Sequence, residues 1–164
     1  MRKVKSEDAA IYNAATQSSD DDATIRAALE ILSRRLRKPG QLISSPADLR
    51  QYARLRWAAL EHEMFSVVFL DNRHRVIVVE ELFRGTIDGA AVYPREVLKA
   101  CLRHNASAVV IIHNHPSGIA EPSRADELIT ARLKEALSMV DIRLLDHLIV
   151  AGTDTVSLAE RGLM

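Results

Sequence analysis

"VVIIHNHPSGIAEPSRADELI", residues Val109–Ile129, decides how the chain is read. A run of pure hydrocarbon ends in His113, and His115 follows one residue later. Successive residues of a strand point to opposite faces, so the two imidazoles share a face and Asn114 points away. Asn114, Pro116, Ser117 and Gly118 shape the turn that follows, with Gly118 suited to positive φ. The chain then returns as a helix, with Ser123 at the N-cap and Asp126 in the first turn. Taken singly, Ser123 and Asp126 are an ordinary helix start: the serine caps and the carboxylate meets the macrodipole. Taken together the four positions say more. Two imidazole nitrogens and one carboxylate oxygen form the three-ligand set of a catalytic zinc site, with the fourth position left for water. By ordinary residue frequencies this spacing arises in on the order of one chain in several thousand of this length. Cap and metal site are compatible, because a helix start fixes the geometry of its own side chains.

Working outward, "SAVVIIH" (107–113) is an apolar strand buried on both faces. Before it, Pro94 starts a helix over 94–105. Further upstream, 64–71 and 74–83 form a hairpin across a turn at 71–73, and 85–93 crosses as a third short strand. After the quoted loop, 123–140 is a helix with Leu128, Ile129, Leu133, Ala136 and Leu137 turned inward. A long strand over 142–152 and a tail, "TVSLAERGLM", complete the chain. Towards the N-terminus, 44–60 is a helix with Ser45 as N-cap, Pro46 in the first turn and Asp48 in the capping-box position. A second amphipathic helix, 23–38, carries Ile25, Ala28, Leu29, Ile31, Leu32 and Leu36 on one side and stops at Pro39-Gly40. Residues 1–21 are polar, without periodicity, and are expected to be a mobile arm. Strands and helices interleave around a hairpin, so the fold class is α/β, a mixed β-sheet flanked by helices. The expected organisation is an arm (1–21), a two-helix extension (22–60) and a main domain (61–164).

Composition narrows the function classes. A chain of 164 residues holds one domain with a real core. Formal net charge is zero, so no basic field argues for nucleic acid or a membrane surface. No apolar run has the length of a membrane span, and the polar N-terminus has no signal-peptide core, so a cytoplasmic location is expected. One cysteine, Cys101, excludes an internal disulfide and a multi-cysteine zinc site; its apolar neighbours make it a core residue. Arg34, Arg35, Arg37, Arg50, Arg54 and Arg56 cluster on the two N-terminal helices. They form either a solvated face or a weak phosphate- or partner-binding patch.

His113, His115, Ser123 and Asp126 match, position by position, the JAMM motif of the JAB/MPN metalloprotease superfamily. "VYPREVLKACLRHNASAVVIIHNHPSGIAEPSRADELITARLKEAL" and "RLLDHLIV" resemble the JAB domain of the bacterial RadC family, and "EMFSVVFLDNRHRVIVVEELFRGTID" resembles the stretch that precedes it there. The likeness covers about residues 60–164 and looks like the family's short form, without a helix-hairpin-helix domain. It implies the JAB/MPN, cytidine-deaminase-like architecture. It also implies a zinc-dependent (Zn2+) peptidase or isopeptidase, with His113, His115 and Asp126 as metal ligands. The superfamily uses an upstream glutamate as general acid/base. Here that is Glu63, in Glu-x-Phe before an apolar strand, with Glu61, Glu80 and Glu81 as rivals. Ser123 would stabilise the oxyanion, which a hydroxyl with one proton and two lone pairs can combine with capping. Asp146-His147 is either a carboxylate orienting a metal-bound imidazole or a core pair satisfied by backbone. Arg95, in a helix's first turn, either holds a carboxylate partner or makes a surface ion pair.

Two function classes stay open at this stage. One is a hydrolase that uses metal-activated water to cleave an amide bond of a protein or peptide substrate. The other is a DNA-associated accessory protein, of DNA repair or a mobile element, acting through the arginine-bearing helices with or without metal catalysis. A nucleobase deaminase is set aside because its Pro-Cys-x-x-Cys ligands are missing.

Overall fold

The computed structural model describes residues 20–32, 34, 46–87 and 89–164. Helical residues 20–32 (α1) precede α2 (Pro46–Trp57), β1 (Met64–Leu70), β2 (Val76–Arg84), α3 (Pro94–Arg103), β3 (Ala108–Asn114), α4 (Arg124–Ser138), β4 (Arg143–Ala151) and β5 (Asp154–Ser157). The strands form one mixed sheet in the order β2-β1-β3-β4-β5. Among the described residues only β3 and β4 run parallel, and α4 makes the crossover between them. The α/β fold expected from the sequence is therefore the fold observed.

β3 lies at the centre and is buried along its whole length, which is why its sequence is continuous hydrocarbon rather than alternating. Its side chains still alternate between two layers. Val110 and Ile112 pack with Leu49, Tyr52, Ala53 and Trp57 of α2. Val109 and Ile111 pack with Val97 and Cys101 of α3 and Leu133 and Leu137 of α4. Continuing that period of two sends His113 to the α4 side and Asn114 to the other. Trp57 is fully buried, meets Tyr52 edge-on with ring centroids 5.7 Å apart, and donates its indole N–H to Glu81 Oε1 at 3.0 Å.

The arginines of α2 are committed within the molecule. Arg50 pairs with Glu160, Arg54 donates to the Thr153 carbonyl at 3.2 Å, and Arg56 pairs with Glu81 at 2.9 Å. Arg34 is exposed; Arg35 and Arg37 lie outside the described residues.

Four expectations need correction. No strand forms among the described residues of 85–93. The chain doubles back there so tightly that a Cβ on Gly85 would stand 2.2 Å from the Gly89 carbonyl oxygen. Its backbone bonds are local, Thr86 N–H to the Gly89 carbonyl at 2.8 Å among them. The tail is not plain coil: Gly152, at φ 55°, turns the chain so that β5 pairs with β4. On α4, Leu128 is 56% exposed, and the fully inward positions are Thr130, Leu133 and Leu137. On α1, Leu32 is buried while Ile25 and Ile31 are exposed, and the helix already includes residues 20 and 21. Leu36, Pro39, Gly40, Ser45 and residues 1–19 of the expected arm lie outside the described residues. No described helix is long and apolar enough to cross a membrane.

Removing the indole should expose the dependence of the sheet on α2. Trp57→Ala is expected to lose ~3–5 kcal/mol of folding stability. The loss is measured as a lower urea midpoint with an unchanged m-value.

Candidate metal centre

The end of β3 and the first turn of α4 bring three donors together. His113 Nε2 and His115 Nε2 are 2.9 Å apart. Asp126 Oδ1 lies 3.1 Å from His113 Nε2, and Asp126 Oδ2 lies 3.5 Å from His115 Nε2. Tetrahedral coordination with bonds of about 2.0–2.1 Å needs donor separations of about 3.3 Å, so the residues present fit a small divalent cation. The chemistry of the set points the same way. His115 Nδ1 is 2.8 Å from the Ile119 carbonyl, which can only accept, so that nitrogen carries the proton and Nε2 is left as a donor to a cation. Gly118, at φ 78°, provides the turn that returns the carbonyl to the ring.

Asp126 is held from below by the helix start. The Ser123 N–H donates to Asp126 Oδ2 at 2.7 Å, and the Ser123 hydroxyl donates to the same oxygen at 2.6 Å. The Asp126 N–H returns the bond to Ser123 Oγ at 3.2 Å, completing a capping box. Burial raises the Asp126 carboxyl, but bonds with His113 and His115 outweigh it and hold the group far below the usual carboxylate range. The hydrogen bond with Asp126 in turn raises His115 above the ordinary histidine value, against desolvation, with a further push from the charge of Glu63.

These groups line one cleft of about 560 Å³, which Glu63 and Phe65 also line. Phe65 pairs in register with His113, so Glu63, two residues earlier, falls on the same face and across from His115. Glu63 is anchored by its backbone, its N–H on the Thr86 carbonyl and its carbonyl on the Gly85 N–H, both at 2.8 Å. Asn114 adds a second anchor. Its side chain accepts from Met64 N–H at 2.8 Å and donates to the His62 carbonyl at 3.0 Å, gripping the residues on either side of Glu63. Of the rivals, Glu80 is taken by Arg103 and His104, and Glu81 by Arg56 and Trp57. Glu61 is exposed and does not line the cleft.

Of the two readings of Asp146-His147, the carboxylate is not the group that reaches the cluster, and it accepts backbone N–H groups instead. The Asp146 carboxylate faces β5 and accepts from Ser157 Oγ at 2.7 Å and Ala159 N–H at 3.1 Å. It is His147, fully buried, that reaches the cluster, with Nε2 2.7 Å from His113 Nδ1. Thr130, unremarked in the sequence, bonds His147 from α4. Its signal was its place: one turn after Asp126, on the helix's buried stripe. Arg95 is exposed and does not line the cleft. Cys101 is the buried core residue expected, its thiol pushed up to about 11 by burial.

The family comparison agrees with this architecture. A sequence model of the RadC-like JAB domain matches residues 43–163, opening upstream of the boundary expected at residue 61 and so taking in α2. The UPF0758 protein of Nitrosococcus oceani is 59% identical over 143 residues, covering 85% of this chain and 64% of that one. The UPF0758 protein of Marinobacter nauticus is 56% identical over 145 residues, covering 87% and 65%. That of Vibrio cholerae is 52% identical over 147 residues, covering 90% and 92%. The chain thus spans just under two thirds of the length of the first two relatives. With the central β3, the α4 crossover and the match over most of its length, the chain belongs to the RadC-like JAB domain family, in a superfamily that includes metallohydrolases.

Proposed function

We propose that the chain is a JAMM-type metallohydrolase, a peptidase or isopeptidase that cleaves an amide bond in a protein or peptide segment, with zinc as its ion. The observation that carries this reading is the convergence of His113, His115 and Asp126, with ligand atoms all within 4.8 Å, on a cleft that Glu63 also lines. The two imidazoles and the carboxylate would hold the ion. When bound, it would supply a Lewis acid that brings the pKa of water from 15.7 toward roughly 7.

The rest falls to the chain's own side chains. Glu63, which lines the same cleft, accepts the proton of the attacking water at its carboxylate and passes it to the leaving nitrogen. Its double backbone anchor and the Asn114 clamp hold the main chain from which that carboxylate projects. Ser123 orients Asp126. To act also as an oxyanion donor, its hydroxyl must turn from Asp126 Oδ2 toward the substrate oxygen. The carboxylate then stays held by the Ser123 backbone N–H. Ile87 and Ile119, 73% and 64% exposed at the lips of the cleft, offer apolar contact to a substrate backbone on either side. The amide as the bond cleaved is taken from the superfamily rather than from these contacts.

Zinc titration should find one tight site per chain. His115→Ala should weaken it by more than the ~10–100-fold typical of losing an outer-shell partner, read by competition with a chromophoric chelator. Unchanged affinity would remove the reading. Glu63→Gln should keep the zinc and lose roughly 10²–10⁴-fold in hydrolysis, scored on a panel of peptide-linked fusion proteins.

The pH response has a defined sign. His115 is raised in the folded, metal-free chain. Its contribution to stability is therefore present below the unfolded value of roughly 6.5 and is lost as pH rises through the folded value. The depressed Asp126 contributes above its unfolded value of roughly 3.9 and loses that as pH falls. Protons and metal compete for His115, so the rise in Tm on adding zinc should grow as pH passes from 5.5 to 8, in steps of roughly half a unit. A zinc-induced shift that is flat over this range would contradict the assignment.

A further inference from the structure

Behind the donor cluster, on the side away from the cleft, three buried side chains form an unbroken hydrogen-bonded line. Thr130 Oγ1 is 2.5 Å from the backbone carbonyl of Asp126. His147 Nδ1 is 2.6 Å from Thr130 Oγ1, and His147 Nε2 is 2.7 Å from His113 Nδ1. Thr130 and His147 are both fully buried.

The direction of every bond follows from one end. A carbonyl only accepts, so the single hydroxyl proton of Thr130 goes to Asp126. Thr130 Oγ1 must then accept, and His147 Nδ1 must be the donor. The His147 ring is fully buried and its nitrogens meet the Thr130 hydroxyl and the His113 ring, with no described carboxylate against them to compensate a second proton, so the ring is neutral. A neutral ring protonated at Nδ1 has a bare Nε2. That lone pair accepts from His113 Nδ1–H and leaves His113 Nε2 as the nitrogen facing Asp126 and His115. Reversing the His113 tautomer alone would set two lone pairs against each other between buried rings, at the penalty of unsatisfied buried groups.

We propose that Thr130 and His147 are positioning residues: the line that starts at the Asp126 carbonyl fixes His113 as its Nδ1–H tautomer and so keeps Nε2 free as a metal donor. This rests on reading the three-donor set as a metal site. Asp146 supports the line from the side, since its carboxylate accepts the backbone N–H of His147 at 2.7 Å and ties it to Ser157 of β5. Helix α4 thereby acts twice, supplying the Asp126 carboxylate to the cleft and, through Thr130, setting the proton on the imidazole beside it.

The test uses the full chain labelled with 15N, as wild type and as Thr130→Val, Thr130→Ser and His147→Gln. Valine keeps the shape of threonine and removes the acceptor. Long-range 15N–1H spectra of the metal-free proteins report the His113 tautomer, and competition with a chromophoric chelator reports the affinity for zinc alone. In Thr130→Val, His113 should shift toward the Nε2–H form and zinc affinity should fall ~10–100-fold. Thr130→Ser should restore both. In His147→Gln, the amide can still donate to Thr130 and accept from His113, so the Nδ1–H form should persist. An unchanged His113 tautomer in folded Thr130→Val overturns the proposal, as does a changed tautomer with undiminished zinc affinity. If wild type binds no zinc while the tautomer shift occurs, the metal reading fails and the proton line stands. If zinc binds and the tautomer is indifferent to residue 130, the line alone fails.

Discussion

Two imidazole nitrogens stand 2.9 Å apart with a carboxylate against both, a donor set that a cation would complete. The rest of the structure is arranged to hold them there. With no proton or cation between them their lone pairs would repel, and the side chains would swing apart if their rings were free. They are not free. His113 is hydrogen-bonded from behind and lies nearly parallel to the Phe65 ring, 16° between planes, while His115 is tied to a backbone carbonyl of its own turn. A buried strand and a capped helix supply the rigid supports that such preorganisation requires.

The architecture explains how residues so far apart in sequence meet. A parallel pair needs a long crossover, and α4 makes it between β3 and β4. The helix start therefore has to lie near the exit of β3, which is where the donors are. This is the general position of sites in open α/β sheets, outside the carboxyl end of a strand. The antiparallel β1 runs the other way, so its beginning, and Glu63 with it, comes to the same end of the sheet.

Much of this was legible because the local signals were strong. The alternation along β3 fixed which side each histidine takes, and Ser-x-x-Asp announced the helix start that the structure closes as a capping box. What failed to show had physical causes. β4 is buried on both faces for most of its length, so its composition gives no clue to which side Asp146 and His147 take. A register shift in the β3–β4 pairing, between Val109 and Val110, further hides the parity. Thr130 went unremarked because a threonine on an apolar stripe looks like a gap in it, when it is a bonded member. Leu128 faces out because the buried stripe of α4 runs through Thr130, Leu133 and Leu137, and residues two apart point to nearly opposite sides of a helix. The 85–93 segment carries strand-like letters, but the close return at Gly85 uses its backbone groups locally.

Asn114 sits between the two histidines yet belongs to the opposite face, where its amide bridges His62 and Met64. That bridge makes the start of β1 mechanically continuous with the tip of β3. The middle letter of the motif is thus a brace. A residue unable to both give and take a hydrogen bond there would remove that brace and leave the approach to Glu63 to its backbone bonds with Gly85 and Thr86.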